Sequence, residues 1–213
     1  MAEIHIVQQT TPDTPASGKL KIFADSADSK LKQVDSTGTV KDLTDSASPV
    51  DNCRIGFADY DDLVTASTPI AITGGGGDTN LPNDEAGAQT IKTYLPTGVT
   101  DVWDATGGVF DWSELSVGDM VDIRMSLAVT TSSINTEVNV ALHLGTGAGS
   151  YSIPFISNAN FKSTGTYQLN RFNSIYIGDS NTLDNGGVFK ANADNNCNIE
   201  VIGWYCKILI RGA

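Results

Sequence analysis

Charge is scarce in this chain. Only 18% of its 213 residues are Asp, Glu, Lys or Arg, against roughly 25% in an average soluble protein. The polar surface therefore has to be built from Thr, Ser, Asn and Gly, a bias that suits β-sheets and turns. Basic charge is scarcest: 13 Lys and Arg face 25 Asp and Glu, for a net charge of -12. Such a surface repels phosphate backbones. The densest basic stretch, Lys30 to Lys32, is answered by Asp28 and Asp35, so nucleic acid is not an expected partner.

Other absences narrow the chemistry. No stretch approaches the roughly 18 apolar residues of a membrane span, so no membrane insertion is expected. Met1 to Ile6 lack the basic and apolar regions of a signal peptide. The three cysteines show no Cys-x-x-Cys spacing, which argues against zinc, and an odd count leaves at least one thiol unpaired. On one extended segment Cys197 and Cys206 would lie roughly 30 Å apart at about 3.3 Å per residue. Folding in a reducing cytoplasm follows.

Catalytic groups are also few. His5 and His143 are the two histidines, the first in the small N-terminal arm and the second on the polar side of an alternating strand, and no Gly-x-Ser-x-Gly elbow is present. Asp59, Asp61 and Asp62 form the tightest acidic cluster and read as a solvated loop rather than a glycosidase pair. Asp179 to Gly186 imitates a calcium loop, but Leu183 occupies the fifth position and no Glu closes it. Gly74 to Gly77 lacks the Lys-Ser/Thr of a phosphate loop. Tyr94, Trp103, Trp112, Tyr151 and Tyr167 would serve either as a sugar-stacking platform or as core and interface. The expectation is a protein without catalytic residues, cofactor or metal, and not an enzyme.

What the chain does have is period-two patterning. Residues 1–43 carry four very short apolar clusters: Ile4 and Ile6; Leu20, Ile22 and Ala24; Leu31; Val40 and Leu43. Turn signals separate them. This β-meander is too small to bury its own surface and needs copies of itself or a docking partner. Residues 44–52 read as a linker and 53–213 as the main domain. There, 120–130 alternates Val121, Ile123, Met125, Leu127 and Val129 with polar neighbours, and 134–144 alternates in the same way. The short Thr/Ser-rich link between them suggests a hairpin. Shorter strands are expected at 151–156, 166–177 and 186–191, and a turn or two of helix within 84–94. In the last strand, 197–211, Ile202, Trp204, Cys206, Ile208 and Ile210 share one face while Ile199, Val201, Tyr205 and Leu209 share the other. A strand apolar on both faces is covered on both, so Ile202, Trp204, Ile208 and Ile210 are expected at a subunit interface. The fold class is all-β: an antiparallel β-sandwich, with the jelly roll favoured over other sandwiches.

The stretch from Thr14 to Asp25, followed by Ser29 to Leu43, resembles the start of many bacteriophage tail-fibre and head-fibre proteins. Those begin with a Pro-x-x-Gly turn, a strand ending in an aromatic, a second strand, an Asp-x-x-Gly turn and a closing Leu. Pro15, Gly18, Phe23, Leu31, Asp35, Gly38 and Leu43 occupy the matching positions. The resemblance implies a virion-anchoring β-motif over about 30 residues. The C-terminal part resembles the trimeric jelly rolls of TNF or C1q type, through Leu115-Ser116-Val117-Gly118-Asp119 leading into a long alternating strand and through an apolar final strand. Together they imply a homotrimer, assembled in the host bacterial cytoplasm and residing in the virion. It would be a short fibre or capsid decoration bound to other virion proteins, capsid or tail, through its N-terminal arm. The alternative is a receptor-binding module gripping a host surface glycan with its C-terminal loops.

Overall fold

The computed structural model describes residues 8–43 and 54–211, in a chain that divides into two compact units, 1–52 and 53–213. The expected strand at Ile4 and Ile6, the linker at 44–52 and Cys53 lie outside the described residues.

The N-terminal unit is one four-stranded sheet in sequential order: β1 (Gln8–Gln9), β2 (Lys21–Asp25), β3 (Leu31–Val34) and β4 (Val40–Asp42). Its first pair is parallel, Gln8 opposite Ala24, so the sheet is not the pure meander expected; β2 to β4 are antiparallel. Registration places Phe23, Lys32 and Val34 on one face; Phe23 and Val34 are buried there, and Pro15 in the preceding loop is buried as well. Both linking turns are set by side chains. The Asp35 carboxylate accepts from the Thr37 and Thr39 amides and the Thr37 hydroxyl, and Gly38 takes the left-handed backbone that such a turn needs, φ +85°. In the other turn Lys32 bridges Asp25 at 2.7 Å and Asp28 at 2.8 Å.

These contacts carry a pH dependence. Hydrogen bonds from Lys32 hold the carboxyls of Asp25 and Asp28 below the usual aspartate range, and the Thr37 hydroxyl does the same for Asp35. A carboxyl whose value is depressed by folding stabilises the fold above its unfolded value. That support is lost as pH falls through the folded value. The N-terminal unit should therefore loosen on acidification below the ordinary aspartate range. Amide exchange of Phe23 and Val34 followed from pH 6 downwards, an ordinary working range, checks this; protection unchanged in acid would contradict it.

The C-terminal unit is an antiparallel sandwich. One sheet runs β14 (Gly165–Tyr176), β11 (Met120–Thr131), β16 (Cys197–Leu209), β5 (Ile55–Asp61), β8 (Ile91–Tyr94), with β6 (Ile70–Ile72) also on β16. The other runs β13 (Tyr151–Phe161), β12 (Thr136–Leu144), β15 (Gly187–Ala193), β10 (Val109–Phe110), β9 (Trp103–Asp104), with β7 (Thr79–Asn80) on β15. The pairs β5–β16, β10–β15, β11–β14 and β12–β13 are nested like the rungs of one long hairpin. Wrapping that ribbon joins β11 to β16 and β12 to β15. This is the jelly roll.

The wrap corrects the expected hairpin. β11 and β12 lie in opposite sheets and face each other across the core, Val121 to Val129 against Val138 to Leu144. The link 132–135 changes sheets through Asn135 in left-handed conformation, φ 55°. The expected helix in 84–94 is also absent: that segment ends in β8. The two described α-helices are α1 (Val64–Ser67) and α2 (Ser180–Asn185). Asp179 caps α2, accepting from the Thr182 amide at 2.8 Å, so the calcium-like sequence is a helix cap.

The last strand shows why its pattern misleads. Ladder register shifts opposite Ser126 and Leu127, where Gly203 and Val201 pair and Ile202 is left over. This β-bulge flips the alternation, so Ile199 and Val201 before it and Trp204, Cys206 and Ile208 after it all point into the same core. Sequence parity split these residues between two faces; the bulge reunites them. Trp204 and Ile208 are wholly buried within their own sandwich, while Ile202 and Ile210 are half-buried, and Ile210 packs on the core. The argument from a doubly apolar strand to a subunit interface therefore fails.

The groups freed by the bulge are satisfied locally. Thr65 accepts from the Val201 amide at 2.8 Å and donates its hydroxyl to Asp62 at 2.6 Å; the Asp62 amide donates to the Ile202 carbonyl at 3.1 Å. Thr65→Val, nearly isosteric, would leave the Val201 amide and the buried Asp62 carboxylate short of partners, at a cost of about 1–3 kcal/mol. Chemical denaturation should show this as a lower midpoint with an unchanged slope.

Candidate functional site

A two-sheet sandwich has two outer faces, and here they differ in chemistry. On the second sheet the outward side chains form a polar chain. Ser152 lies 3.1 Å from Nδ1 of His143, His143 Nε2 lies 3.5 Å from Asp78, and Asn192 donates to Asp78 at 2.7 Å. Asn139 continues it, donating to Asn192 and accepting from the Asn158 amide. Amides, carboxylates and hydroxyls of this kind belong against water. The Ser152–His143–Asp78 arrangement resembles a hydrolase triad in composition, but Ser152 sits on a regular exposed strand, the Asp is itself exposed, and nothing there excludes water.

The first sheet is different. Its ladder aligns outward residues in rows running from β14 across β11 and β16 to β5 and β8. The row at one end reads Tyr176, Met120, Leu209, Ile55. The next reads Ser174, Asp122, Lys207, Phe57, Tyr94, and the third Phe172, Arg124, Tyr205, Asp59, Ile91. Beyond these the rows turn polar, with Asn170 and Ser126, then Gln168, then Thr166 and Thr130. Apolar surface is thus gathered at the end where β5 begins and β16 ends.

This half-face is ordered as well as greasy. Phe57 stacks between Tyr94 at 5.1 Å and Tyr205 at 5.7 Å. The Arg124 guanidinium lies 5.1 Å over the Tyr205 ring and 3.8 Å from Asp59, a cation–π contact combined with an ion pair. Partial burial raises the Asp59 carboxyl, Arg124 draws it down, and neighbouring Asp61 pushes it up. Around this ladder Phe172 is 62% exposed, Tyr176 55%, Ile55 55% and Tyr94 59%. Such a contiguous patch on a sheet whose sister face is hydrophilic marks an interaction surface.

The other residues singled out in the sequence are dispersed. Asp59, Asp61 and Asp62 do not converge: Asp59 faces Arg124, Asp61 receives the Gln89 amide, and Asp62 is buried at the bulge. The five aromatics do not gather on one surface: Trp103 and Trp112 are core residues, Tyr94 lies on the outer face of the first sheet, Tyr151 begins β13 of the second sheet at 40% exposure, and Tyr167 leans on Phe161 at 4.6 Å. Among the described residues no group of three or more His, Cys, Asp or Glu is arranged to hold a metal. Cys197 and Cys206 are buried free thiols, and among the described residues no helix is long and apolar enough to cross a membrane.

The residues of the N-terminal resemblance have a structural meaning. Pro15 and Phe23 are buried, Gly18 (φ 73°) and Gly38 adopt left-handed turns, Asp35 ties the second turn, and the Leu43 amide bonds to the Leu31 carbonyl at 2.7 Å. They build the sheet. The patch on the first sheet escaped sequence reading because the other outward residues of the strand bearing Phe172 and Tyr176, namely Thr166, Gln168, Asn170 and Ser174, are polar, and because cross-strand rows exist only once register is known.

No protein-family model matches the chain, and no curated protein matches it in sequence. Solved structures do show similarity. The PRD1 vertex protein P5 is 15% identical with a TM-score of 0.35, covering 75% of this chain and 99% of that one. A structure of the infectious bursal disease virus Gx strain is 7% identical with a TM-score of 0.34, over 76% of this chain; the match spans only 32% of that longer chain. The VP2 subviral particle of infectious bursal disease virus is 8% identical with a TM-score of 0.33, over 96% of this chain and 75% of that one.

Proposed function

We propose that this protein is a non-enzymatic structural component of a bacteriophage virion, a short homotrimeric fibre or capsid decoration. Its C-terminal jelly rolls associate through the outer face of the β14-β11-β16-β5-β8 sheet, and its N-terminal unit attaches to other virion proteins. One observation carries the reading: the aromatic and aliphatic half-face around Tyr176, Met120, Ile55, Phe172 and Tyr94, set against a sister face that carries Glu137, Asn139, His143, Lys190 and Asn192. Fully covering an apolar side chain of this size is worth about 1.5–3 kcal/mol. These five are 40–62% exposed in the single chain, so covering what remains supplies on the order of 5 kcal/mol, at the low end of the cost of association. Apolar lobes lie on both edge strands, β14 and β8, so the edge of one copy can meet the opposite edge of the next. That is a head-to-tail contact, the kind that closes into a ring.

The N-terminal resemblance supports the attachment, and the small core of that unit supports its need for company. Removing residues 1–43 should leave the oligomer intact in light scattering while abolishing incorporation into particles, scored by immunoblot of purified virions. Truncated protein found on particles at wild-type level would defeat the attachment.

A further inference from the structure

The end strands of an open sheet carry unpaired N–H and C=O groups that can accept a further strand. Of the four strands that end the two sheets of the sandwich, three are poorly suited to that pairing. β8 is four residues long and β9 two. β13 is interrupted: its ladder with β12 slips twice between Val138 and Ala141, Pro154 has no N–H to give, and Asn158 is left-handed at φ 51°. β14 is different. Its twelve residues pair with β11 without a slip, and among the described residues no strand pairs with its other side.

The direction of its backbone groups follows from the ladder. Ile177, just beyond β14, accepts from the Gly118 amide at 2.8 Å and donates to the Asp119 carbonyl at 2.9 Å, in the turn leading into β11. Bonded and unbonded residues alternate along an antiparallel strand. Odd-numbered residues of β14 therefore bond to β11, and even-numbered ones turn their N–H and C=O to the free edge. Two of those edge groups are already occupied. The Ser174 amide donates to Asn173 Oδ1 at 2.9 Å, and the Asn170 carbonyl accepts from Arg171 Nη1 at 2.9 Å. They flank Phe172, in the half of the strand that carries the exposed aromatics.

Both side chains stand where alternation calls for apolar residues. Leu169, Arg171, Asn173 and Ile175 lie opposite Leu127, Met125, Ile123 and Val121, all core residues. Leu169 and Ile175 join that core, whereas Arg171 is exposed and Asn173 half-buried. Asn173 also donates to the Pro154 carbonyl of β13 at 3.4 Å. A charge at an inward position of an edge strand opposes edge-to-edge association.

We infer that Arg171 and Asn173 guard the free edge of β14, occupying its backbone groups on either side of Phe172 so that the β14 strands of two copies do not pair. Copies of this chain are thereby held to contacts between side chains and faces.

The test is the full chain carrying Arg171→Val and Asn173→Val, followed by light scattering and by amide exchange at Phe172. Two β14 edges that pair do so by a two-fold contact, so the mass should rise at least about two-fold over the parent, and exchange at Phe172 should slow. Adding Asn170→Pro removes an edge N–H without touching the ladder to β11 and should restore the parental mass. A valine pair that keeps the parental mass overturns the inference. Growth that the proline does not reverse, or that leaves exchange at Phe172 unchanged, comes from another surface and overturns it too. If the valine pair lacks the circular dichroism of the parent, Arg171→Ala with Asn173→Ala, which only removes atoms, carries the same test with the same outcomes. Because each variant is compared with the parent's own mass, a monomeric parent would end the trimer reading and leave this test intact.

Discussion

Phe172→Asp combined with Tyr176→Asp should convert the assembled protein to monomers, a three-fold fall in the mass seen by light scattering. Both side chains are exposed in the single chain, so folding loses little, and surface changes of this kind cost within about 0.5 kcal/mol. In the assembly the same carboxylates would have to be buried against Tyr94, Phe57 and Ile55 of the next copy. An unpaired buried charge costs several kcal/mol, which removes most of what the apolar contact supplies. Circular dichroism should stay that of the parent. A double variant that keeps the parental mass would mean that this half-face is not where the copies meet. His143→Asp on the polar face is the matched control and should leave the mass unchanged.

The largest effect on stability is expected at Trp204. Its ring packs 4.7 Å from Phe189 and 6.1 Å from Trp103, in a cluster continued by Phe110 and Trp112 at 5.0 Å. Trp204→Ala should cost about 3–5 kcal/mol, through lost burial and the cavity left behind. The indole N–H of Trp204 is buried without a hydrogen-bond partner, and an unmet donor carries a penalty of about 1–3 kcal/mol. Trp204→Phe removes that penalty along with some volume, so its cost should be far smaller. The contrast separates a core residue from an interface residue. If Trp204 lay between subunits, Trp204→Ala would make the unfolding midpoint steeply dependent on protein concentration. As a core residue it should lower the midpoint equally at all concentrations, including in the monomeric Phe172/Tyr176 double variant.

Much of the architecture was legible because strict alternation needs little context. β11 and β12 announce themselves through five or six apolar residues at period two, and β13, β14 and β15 fall where shorter runs were seen. The small strands β5 to β10 were not legible. Ile55 to Asp61 buries Gly56, Ala58 and Tyr60 while it leaves Phe57 outward for stacking, so its hydrophobic pattern reads backwards. The link after β11 looked like a hairpin because only the wrap of the ribbon sends β12 to the other sheet.

The two faces of the last strand were the clearest misreading. A single extra residue, Ile202, gave the last strand two greasy faces on paper, and the bulge that resolves it is visible only in the ladder register. The exposed patch is distributed over β5, β8, β11, β14 and β16, one or two residues from each, with no local signal. The roles of Asp62 at the bulge and of Asp179 as a helix cap were not legible either, because they depend on contacts between residues that the pattern alone does not pair.

The nested ribbon has a practical corollary for anyone wishing to decorate this protein. Ile55 and Leu209 are opposite one another in the ladder, so the polypeptide arrives and departs at a single pole of the barrel-like wrap. The opposite pole is made of the bends after Thr131, Phe161 and Ala193. A peptide epitope fused behind β16 would be displayed at the pole carrying the aromatic patch, where it would compete for space with it. The same epitope spliced into the bend at 162–164 would stand at the free pole, clear of that patch.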